Sequence, residues 1–249
     1  MTLSTLEFDV LAEHLGVDPL PLVLRVPSPG RTDVERRALV QRAWTGLAHR
    51  GLGRPVDPDP RAARLLRLLA RPDHEVDARL WHGGEVRALA AATGDDAVLA
   101  VLRDGELTLR EADATGLARH ALSVVPPLGA GPGRSVTLPT EDFLAASRAP
   151  GSEFAKTLRA RGIRSTDVDL LDEMIAPVLG HGRLGSATRD KWGARKRAPG
   201  VLSYFDTEAG RYFQTQRPAP DGLTWTTIAP ATPRTLLHQL DPVATALPA

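Results

Sequence analysis

Apolar residues recur at intervals of three and four through most of the first 70 positions, which places them on one face of a helix. Ser4 with Glu7 and Thr32 with Glu35 have the capping-box spacing that begins a helix, and Asp59 before a proline supplies a third start. The pattern predicts helices over about 4–15, 32–51 and 59–71 and one short strand over 22–26.

The spacing changes at Val76, where apolar and polar residues begin to alternate as they do in a half-buried β-strand. Glycine- and aspartate-containing turns at 83–84, 94–96 and 104–105 separate successive runs. This arrangement predicts an antiparallel four-stranded meander followed by a helix. The predicted elements are strands over about 76–81, 86–92, 97–102 and 107–109 and a helix over about 113–125.

Residues 126–134 are rich in glycine and proline, and we expect them to form a hinge before the second half of the chain. Three helical patterns follow, and the last has a capping-box spacing of Thr166 with Asp169. A hairpin, a strand and a closing helix capped by Thr232 complete the chain. The predicted elements are a strand over 135–138, helices over about 140–148, 152–161 and 166–179, an extended basic segment over 180–199, strands over 201–206, 211–216 and 223–229, and a helix from 232.

A weak repeat relates the two halves, because Asp-Gly turns at 104–105 and 221–222 each lead through a strand into a helix. The element order predicts an α+β fold, and if the repeat is real the two halves would pair as a pseudo-twofold sheet with helices at either end. We expect one domain over 1–249, with halves of about 1–126 and 134–241 and a frayed tail over 242–249. Ancestral duplication and chance similarity of two common turns both stay open as explanations.

The balance of charge points to no particular class of partner, because 31 basic residues face 30 acidic ones and the net charge is +1. The sequence contains no cysteine, which excludes disulfides, thiolate metal ligands and cysteine nucleophiles. The first residues lack the basic region of a signal peptide, and no apolar run approaches the roughly 18–20 residues of a membrane span. We therefore expect a cytoplasmic protein without membrane insertion.

Motifs that carry catalysis or bind cofactors are incomplete in this sequence. The glycine-rich segment 129–134 follows a helix and lacks the Gly-Lys-Ser/Thr ending of a phosphate-binding loop. His74-Glu75 begins like a zinc-binding helix, but Ala78 stands where the second histidine is needed. We predict neither enzyme activity nor a metal or cofactor, while an active site assembled from scattered residues stays open as an alternative.

A basic run, which also contains Trp192, is the most uneven feature of the charge distribution. It comprises Arg183, Arg189, Lys191, Arg195, Lys196 and Arg197, opposed only by Asp190. Three interpretations stay open: a nucleic-acid patch, a docking edge for an acidic partner, and an edge strand protected by charge against aggregation.

Aromatic residues are scarce, with four Trp, two Tyr and five Phe, yet several lie close together in the second half. Tyr204-Phe205, Tyr212-Phe213 and Trp225 fall on consecutive predicted strands. Alternation turns one residue of each pair toward the core and the other toward the open face of the sheet. Rings on the open face would suit a protein-binding patch, whereas burial of most of them in the core is the alternative.

Several stretches, in the same order along nearly the whole chain, resemble the EspG family of cytoplasmic chaperones in the type VII (ESX) secretion of actinobacteria. They are 8–16, 27–32, 87–91, 131–136, 203–212 and 221–230. The resemblance implies a single EspG-like domain without catalysis, with an α+β fold whose central, largely antiparallel sheet consists of two quasi-twofold-related halves flanked by helices. It also implies a long substrate-gripping loop between early strands, whereas the turns at 83–84 and 94–96 here are short.

The resemblance further implies a protein partner: the PPE-like member of a PE–PPE pair, or another helical type VII substrate, bound at its helical tip, kept soluble and delivered to the machinery. We expect the free chain to be a monomer or homodimer that binds no nucleic acid; nucleic-acid binding through 183–197 is the alternative. The partner-binding residues that we predict are Trp192, Arg195, Arg197, Tyr204, Tyr212, Phe213 and Trp225.

Overall fold

The computed structural model of the chain describes residues 1–150, 153–175, 177–220 and 222–245, with only the backbone described beyond Asp241. Helices α1 to α8 of these residues span Thr5–His14, Asp33–His49, Pro60–Ala70, Leu117–Leu122, Thr140–Arg148, Phe154–Ala160, Ser165–Met174 and Pro233–Thr245. Strands β1 to β13 span Thr2–Ser4, Gly53–Arg54, Asp57–Pro58, His74–Trp81, Glu85–Thr93, Asp96–Arg103, Glu106–Asp113, Val136–Pro139, Gly180–Arg189, Arg195–Arg197, Leu202–Thr207, Gly210–Pro218 and Thr224–Pro230. Short 3-10 helices span Leu22–Leu24 and Ala114–Gly116.

The predicted helix starts in the first 70 residues are confirmed by their hydrogen bonds. The side chains of Ser4 and Thr32 accept from the backbone N–H groups of Glu7 and Glu35, whose carboxylates accept in return from the cap backbone. Asp59 Oδ1 accepts from the N–H of Ala62 at 2.6 Å. These side chains satisfy donors that a helix leaves unpaired at its first turn.

One antiparallel sheet of eleven strands, formed within the described residues, passes through the whole molecule. Its order is β1-β7-β6-β5-β4-β9-β11-β12-β13-β8, with β10 paired to β9. The two halves of the chain meet where β4 pairs with β9, from His74 opposite Thr188 to Trp81 opposite His181. This pairing makes the sheet continuous across both halves.

Each half repeats one element order: an outer strand, a group of helices, a set of sheet strands and a closing helix. In the first half these are β1, α1–α3, β4–β7 and α4; in the second they are β8, α5–α7, β9 with β11–β13, and α8. The predicted fold class is confirmed. The boundary of the halves at 126–134 and the ancestral duplication stay predictions.

The helices cover the sheet unevenly. Helices α1–α3 bury Leu89 and Leu107 on one face of the first half, and α5–α7 bury Ile228 on the same face of the second half. Helices α4 and α8 lie together on the opposite face, over Ala78 and Leu184 at the centre. Burying one leucine contributes about 2 kcal/mol. Among the described residues, no helix packs directly on the centre of the first face.

Two predicted elements of the first half differ from the structure. Residues 22–26 are not a strand: Leu22–Leu24 form a 3-10 turn after Pro21, and the outer position beside β7 is taken by β1. The predicted helix over 113–125 is a 3-10 turn followed by the short α4. A proline at each end of 22–26 removes backbone donors that a sheet strand needs.

The third helix of the second half begins one residue earlier than predicted, so Thr166 lies inside the helix and cannot cap it. The carboxylate of Asp167 instead pairs with Arg134 at 2.6 Å and Arg164 at 2.7 Å, and its hydrogen bond with Arg134 lowers the pKa of Asp167. Helix α7 ends at Met174, shortly before a proline that cannot continue it. The start of the predicted helix over 152–161 lies outside the described residues. The predicted frayed tail over 242–249 lies outside them from 246 onward, whereas the backbone of 242–245 belongs to α8.

The glycine-rich loop at 129–132 is held against β12 by hydrogen bonds. Arg211 donates its N–H to Gly129 at 2.9 Å, Gly131 donates to Arg211 at 3.1 Å, and the Tyr212 hydroxyl donates to Pro132 O at 3.1 Å. A Cβ at Gly131 would lie 2.2 Å from the Tyr212 ring. The glycine is needed for this close approach of backbone and ring.

Candidate protein-binding surface

An open groove lies along the uncovered centre of the sheet, between α1–α3 on one side and α5–α7 on the other. It encloses about 700 Å³. Its floor consists of side chains from β4, β9, β10, β11 and β12, and apolar residues from the second half form one wall. The floor residues are Asp77, Arg79, His181, Arg183, Arg197, Ser203, Phe205, Gln214 and Gln216, and the apolar wall contains Phe143, Ile175, Val178 and Val201.

Strand register arranges one end of this groove as an apolar row. Trp81 lies opposite His181, which lies opposite Phe205 on the next strand. Trp81 is 49% exposed, and Val178 beside this row is also exposed. Aromatic rings held at a rigid strand position can bury a large area at low entropic cost. This end of the groove therefore suits an apolar protein surface.

The neighbouring part of the groove is polar and charged. Arg79 lies opposite Arg183, which is followed across the sheet by Ser203 and Gln214. At the edge, Arg197 donates to both oxygens of Asp77 at 2.7 and 3.2 Å, and the hydrogen bond with Asp77 raises the pKa of Arg197. The groove thus combines an apolar row with a charged margin.

The other arginine of β10, Arg195, pairs with Glu75, with its Nε 2.8 Å from Oε1. Strand β9 is central in the sheet, so the interpretation of 183–197 as an edge strand is wrong for β9. Within this segment, only β10, which pairs with β9 alone among the described strands, lies at an edge. Since the two β10 arginines are neutralised by acids of β4, the basic run carries less free charge than its composition indicates.

A buried polar network lies under the end of the sheet near Trp81, on the opposite face. Arg211 donates through Nε and Nη2 to the two oxygens of Asp206, at 2.6 and 2.7 Å. His82 Nε2 lies 2.7 Å from the Tyr204 hydroxyl, and Nδ1 lies 3.7 Å from Asp206. Burial lowers the pKa of His82 and raises that of Tyr204. These groups satisfy one another and join β11 and β12 to the turn after β4.

The described residues contain no group of three or more His, Cys, Asp or Glu side chains placed to hold a metal ion. In the same part of the chain, helices long and apolar enough to cross a membrane are absent.

The family model of EspG matches residues 4–242. The chain belongs to the EspG family. The ESX-1 secretion-associated protein EspG1 of Mycobacterium tuberculosis (strain ATCC 25618 / H37Rv) is 24% identical over 248 residues, covering 96% of this chain and 84% of EspG1. A solved structure of the M. tuberculosis type VII secretion system chaperone EspG5, in complex with the PE25–PPE41 dimer, matches with a TM-score of 0.77 and 21% identity. That match covers 100% of this chain and 96% of the EspG5 chain.

The predicted contact residues of this EspG-family chain lie in different environments. Trp192 is 79% exposed at the β9–β10 turn, with Lys191 Nζ 4.4 Å from its ring centre. Arg197 lines the open groove, and Arg195 lies two residues earlier on β10, where it pairs with Glu75. Trp225 is half-buried, and the β13 register turns it toward the face opposite the groove. Only part of the predicted set therefore surrounds one surface.

Tyr204, Tyr212 and Phe213 are buried, so these three rings present no surface to a partner. Tyr204 and Phe213 pack in the core under α4 and α8. Tyr212 points to the groove side of the sheet, where the loop at 129–132 and the α5–α7 core cover it. In the first strand of the set, the side chain on the groove face is Phe205, opposite His181, whereas Tyr204 points into the core on the other face.

The residues of this surface that sequence reasoning missed are Arg79 and Phe205 on the groove floor and Trp81, which lies next to the groove opposite His181. Trp81 and Arg79 occupy the polar phase of the alternation in β4, together with Asp77. A tryptophan in the polar phase of a strand is a signal for an exposed functional face, because that phase points away from the core. Phe205 carried an equal signal, but its alternation with Tyr204 did not show which ring is covered.

Proposed function

We propose that this EspG-family chain is a cytoplasmic chaperone of type VII secretion that binds the helical tip of a PPE-like protein from a PE–PPE pair. It keeps this substrate soluble and delivers it to the secretion machinery. The observation that carries the proposal is the open groove, an uncovered sheet centre between two groups of helices. The solved EspG5 structure, which contains a PE25–PPE41 dimer, supports the choice of partner.

The dimensions of the open groove fit this partner. Its floor spans β4, β9, β11 and β12, and adjacent strands lie about 4.8 Å apart, so the outer two are about 14 Å apart. An α-helix with its side chains is about 10–12 Å wide. This floor is therefore wide enough for a single helical tip, with the apolar row of Trp81, His181 and Phe205 covering apolar residues that would otherwise promote aggregation. Trp192, Arg195 and Arg197 complete the rim in this proposal.

Binding without catalysis is part of the same proposal. The charged groups nearest the groove edge are paired with one another, and the His82 network is closed by its own hydrogen bonds. Neutralisation of Arg195 and Arg197 also supports a protein partner over nucleic acid. We propose that the free chain is a monomer or a homodimer.

The test is co-expression of this chain with PE–PPE-like pairs from the same genome, followed by size-exclusion chromatography with light scattering. The expected result is one stable complex with one copy of each chain, and substrate that precipitates when the chaperone is omitted. Trp81→Glu, which places a charge in the apolar row, should abolish the complex. Val56→Glu, at a side chain that is 94% exposed on the distant β2–β3 turn, is the matched control. Separate elution of native chaperone and substrate would refute the proposal.

A further inference from the structure

Three arginines on adjacent strands lie directly opposite one another on the groove side of the sheet. Arg87 of β5 is paired with Arg79 of β4, and Arg79 is paired with Arg183 of β9. Directly opposed residues on neighbouring antiparallel strands have their Cβ atoms about 4.5–5.5 Å apart. We call these residues the arginine row. It adjoins the apolar row of the open groove.

Like charges placed opposite each other destabilise a sheet unless an opposite charge lies between them. Arg87 forms an ion pair with Glu85, with 3.4 Å between Nε and Oε2, and donates a hydrogen bond to the backbone oxygen of Arg25 at 2.9 Å. In the described part of the chain, the one acceptor of Arg79 is a backbone oxygen, that of Leu22, at 3.3 Å. Within the described residues, neither Arg79 nor Arg183 has a carboxylate within ion-pair distance.

The acids closest to these arginines are already occupied. Asp77, two positions before Arg79 on the same face, pairs with Arg197, and Glu75 pairs with Arg195. Both carboxylates are largely buried by these contacts. The free chain therefore presents two exposed guanidinium groups, on the floor of a concave surface, whose repulsion its own side chains do not relieve.

We infer that Arg79 and Arg183 form a subsite for a carboxylate side chain, Asp or Glu, on the helical tip of the partner. This inference rests on the proposed function and deepens it, because it names the chemistry that selects one tip over another. A guanidinium pair offers several N–H donors in fixed planes and binds a carboxylate through charge-assisted hydrogen bonds. The carboxylate would also relieve the repulsion between the two arginines, so the contact gains more in the complex than an ordinary surface ion pair.

The first experiment uses biolayer interferometry, at 50 and 300 mM NaCl, to measure binding of a purified PE–PPE-like heterodimer from the same genome. Arg183→Gln and Arg79→Gln should each weaken binding about 10- to 100-fold, and Arg183→Lys should weaken it less. The salt dependence of the affinity should be smaller in both Gln variants than in the native chain. Arg110→Gln, at an exposed arginine of β7 on the opposite face, is the control and should bind like the native chain.

The same variants carry a second readout in the absence of partner. Removing one of two opposed charges should raise the melting temperature of the free chain by about 1–3 °C, so Arg183→Gln should be more stable and yet bind more weakly. A variant that lost affinity by misfolding would melt lower. This opposite movement of stability and affinity separates a recognition role from a structural one.

The partner's carboxylate is identified by changing each Asp and Glu of the PPE-like tip to its amide. For one of these partner variants, combination with Arg183→Gln should cause little further loss of binding affinity, because both substitutions remove the same contact. If the native chain binds the heterodimer and both Arg183→Gln and Arg79→Gln bind it with the same affinity, the inference is overturned while the proposed function stands. Failure of the native chain to bind the heterodimer would overturn the proposed function, and this inference with it.

Discussion

The buried pair of Arg211 and Asp206 provides a sharp test of how the second half of the sheet is held together. Their side chains are only 2% and 8% exposed, and both carboxylate oxygens accept hydrogen bonds from the guanidinium. The guanidinium also lies 4.7 Å from the centre of the Tyr204 ring. Arg211→Met keeps much of the side-chain volume and removes the charge, leaving the Asp206 carboxylate buried without its partner.

Removing one partner of a buried ion pair costs about 3–5 kcal/mol, because the remaining charge stays desolvated. A chain of this size loses about 2–4 °C of melting temperature per kcal/mol, so we expect Arg211→Met to melt about 6–20 °C lower. His82, with Nδ1 3.7 Å from Asp206, is the one other basic group within ion-pair distance of that carboxylate among the described residues.

The assay is urea unfolding followed by far-ultraviolet circular dichroism at pH 7, with thermal melts as a second measure. Arg211→Met combined with Asp206→Leu should recover most of the loss, because it leaves no unpaired charge in the core. Arg217→Met, at an exposed arginine of the same strand, is the matched control and should change stability by less than about 0.5 kcal/mol.

A loss below about 1 kcal/mol in Arg211→Met would refute the reasoning, since it would mean that water or another group solvates Asp206. Equal losses in the single and double variants would refute it as well, because the cost would then come from packing and not from an orphaned charge.

Two further predictions concern the stability of the same region. Gly131→Ala should destabilise the chain by about 1–3 kcal/mol, because its Cβ would lie 2.2 Å from the Tyr212 ring. Combining Gly131→Ala with Tyr212→Leu should recover stability, because the smaller side chain removes the clash. Equal losses of stability in the single and the double variant would contradict this explanation. Burial lowers the pKa of His82, so the unfolded chain binds more protons and stability should fall as the pH drops below about 6.5. Urea midpoints from pH 7 to 5 should decline less in His82→Gln than in the native chain, and identical slopes would show that His82 is not responsible.

Much of the fold could be predicted because its signals are local. The capping box of Ser4 and Glu7 involves residues three positions apart, and the alternation from Val76 onward identified the meander that became β4–β7. The same local reasoning failed for 22–26. The composition of this segment favours a strand, but prolines flank it and β1 occupies the position beside β7. It also failed for 183–189, because the strand beside β9 is β4, about 100 residues away in sequence.

The candidate site was predicted only in part. The exposed Trp192 and the two β10 arginines surround or adjoin the groove, but their pairing with Glu75 and Asp77 depends on contacts between residues 120 positions apart. Trp81, Arg79 and Arg183 belong to one surface because the register of β4 and β9 places them side by side. Neither strand alone carries that information.

The sequence by itself determined the helix starts, the strand periodicity and the order of elements, because each depends on residues within a few positions of one another. Alternation also determined that Tyr204 and Phe205 point to opposite faces. Tertiary structure alone decided which face α4 and α8 cover and which face stays open between the two helix groups. Burial is a property of the packed whole: a ring becomes core or contact surface according to what lies over it, and the covering residues are distant along the chain.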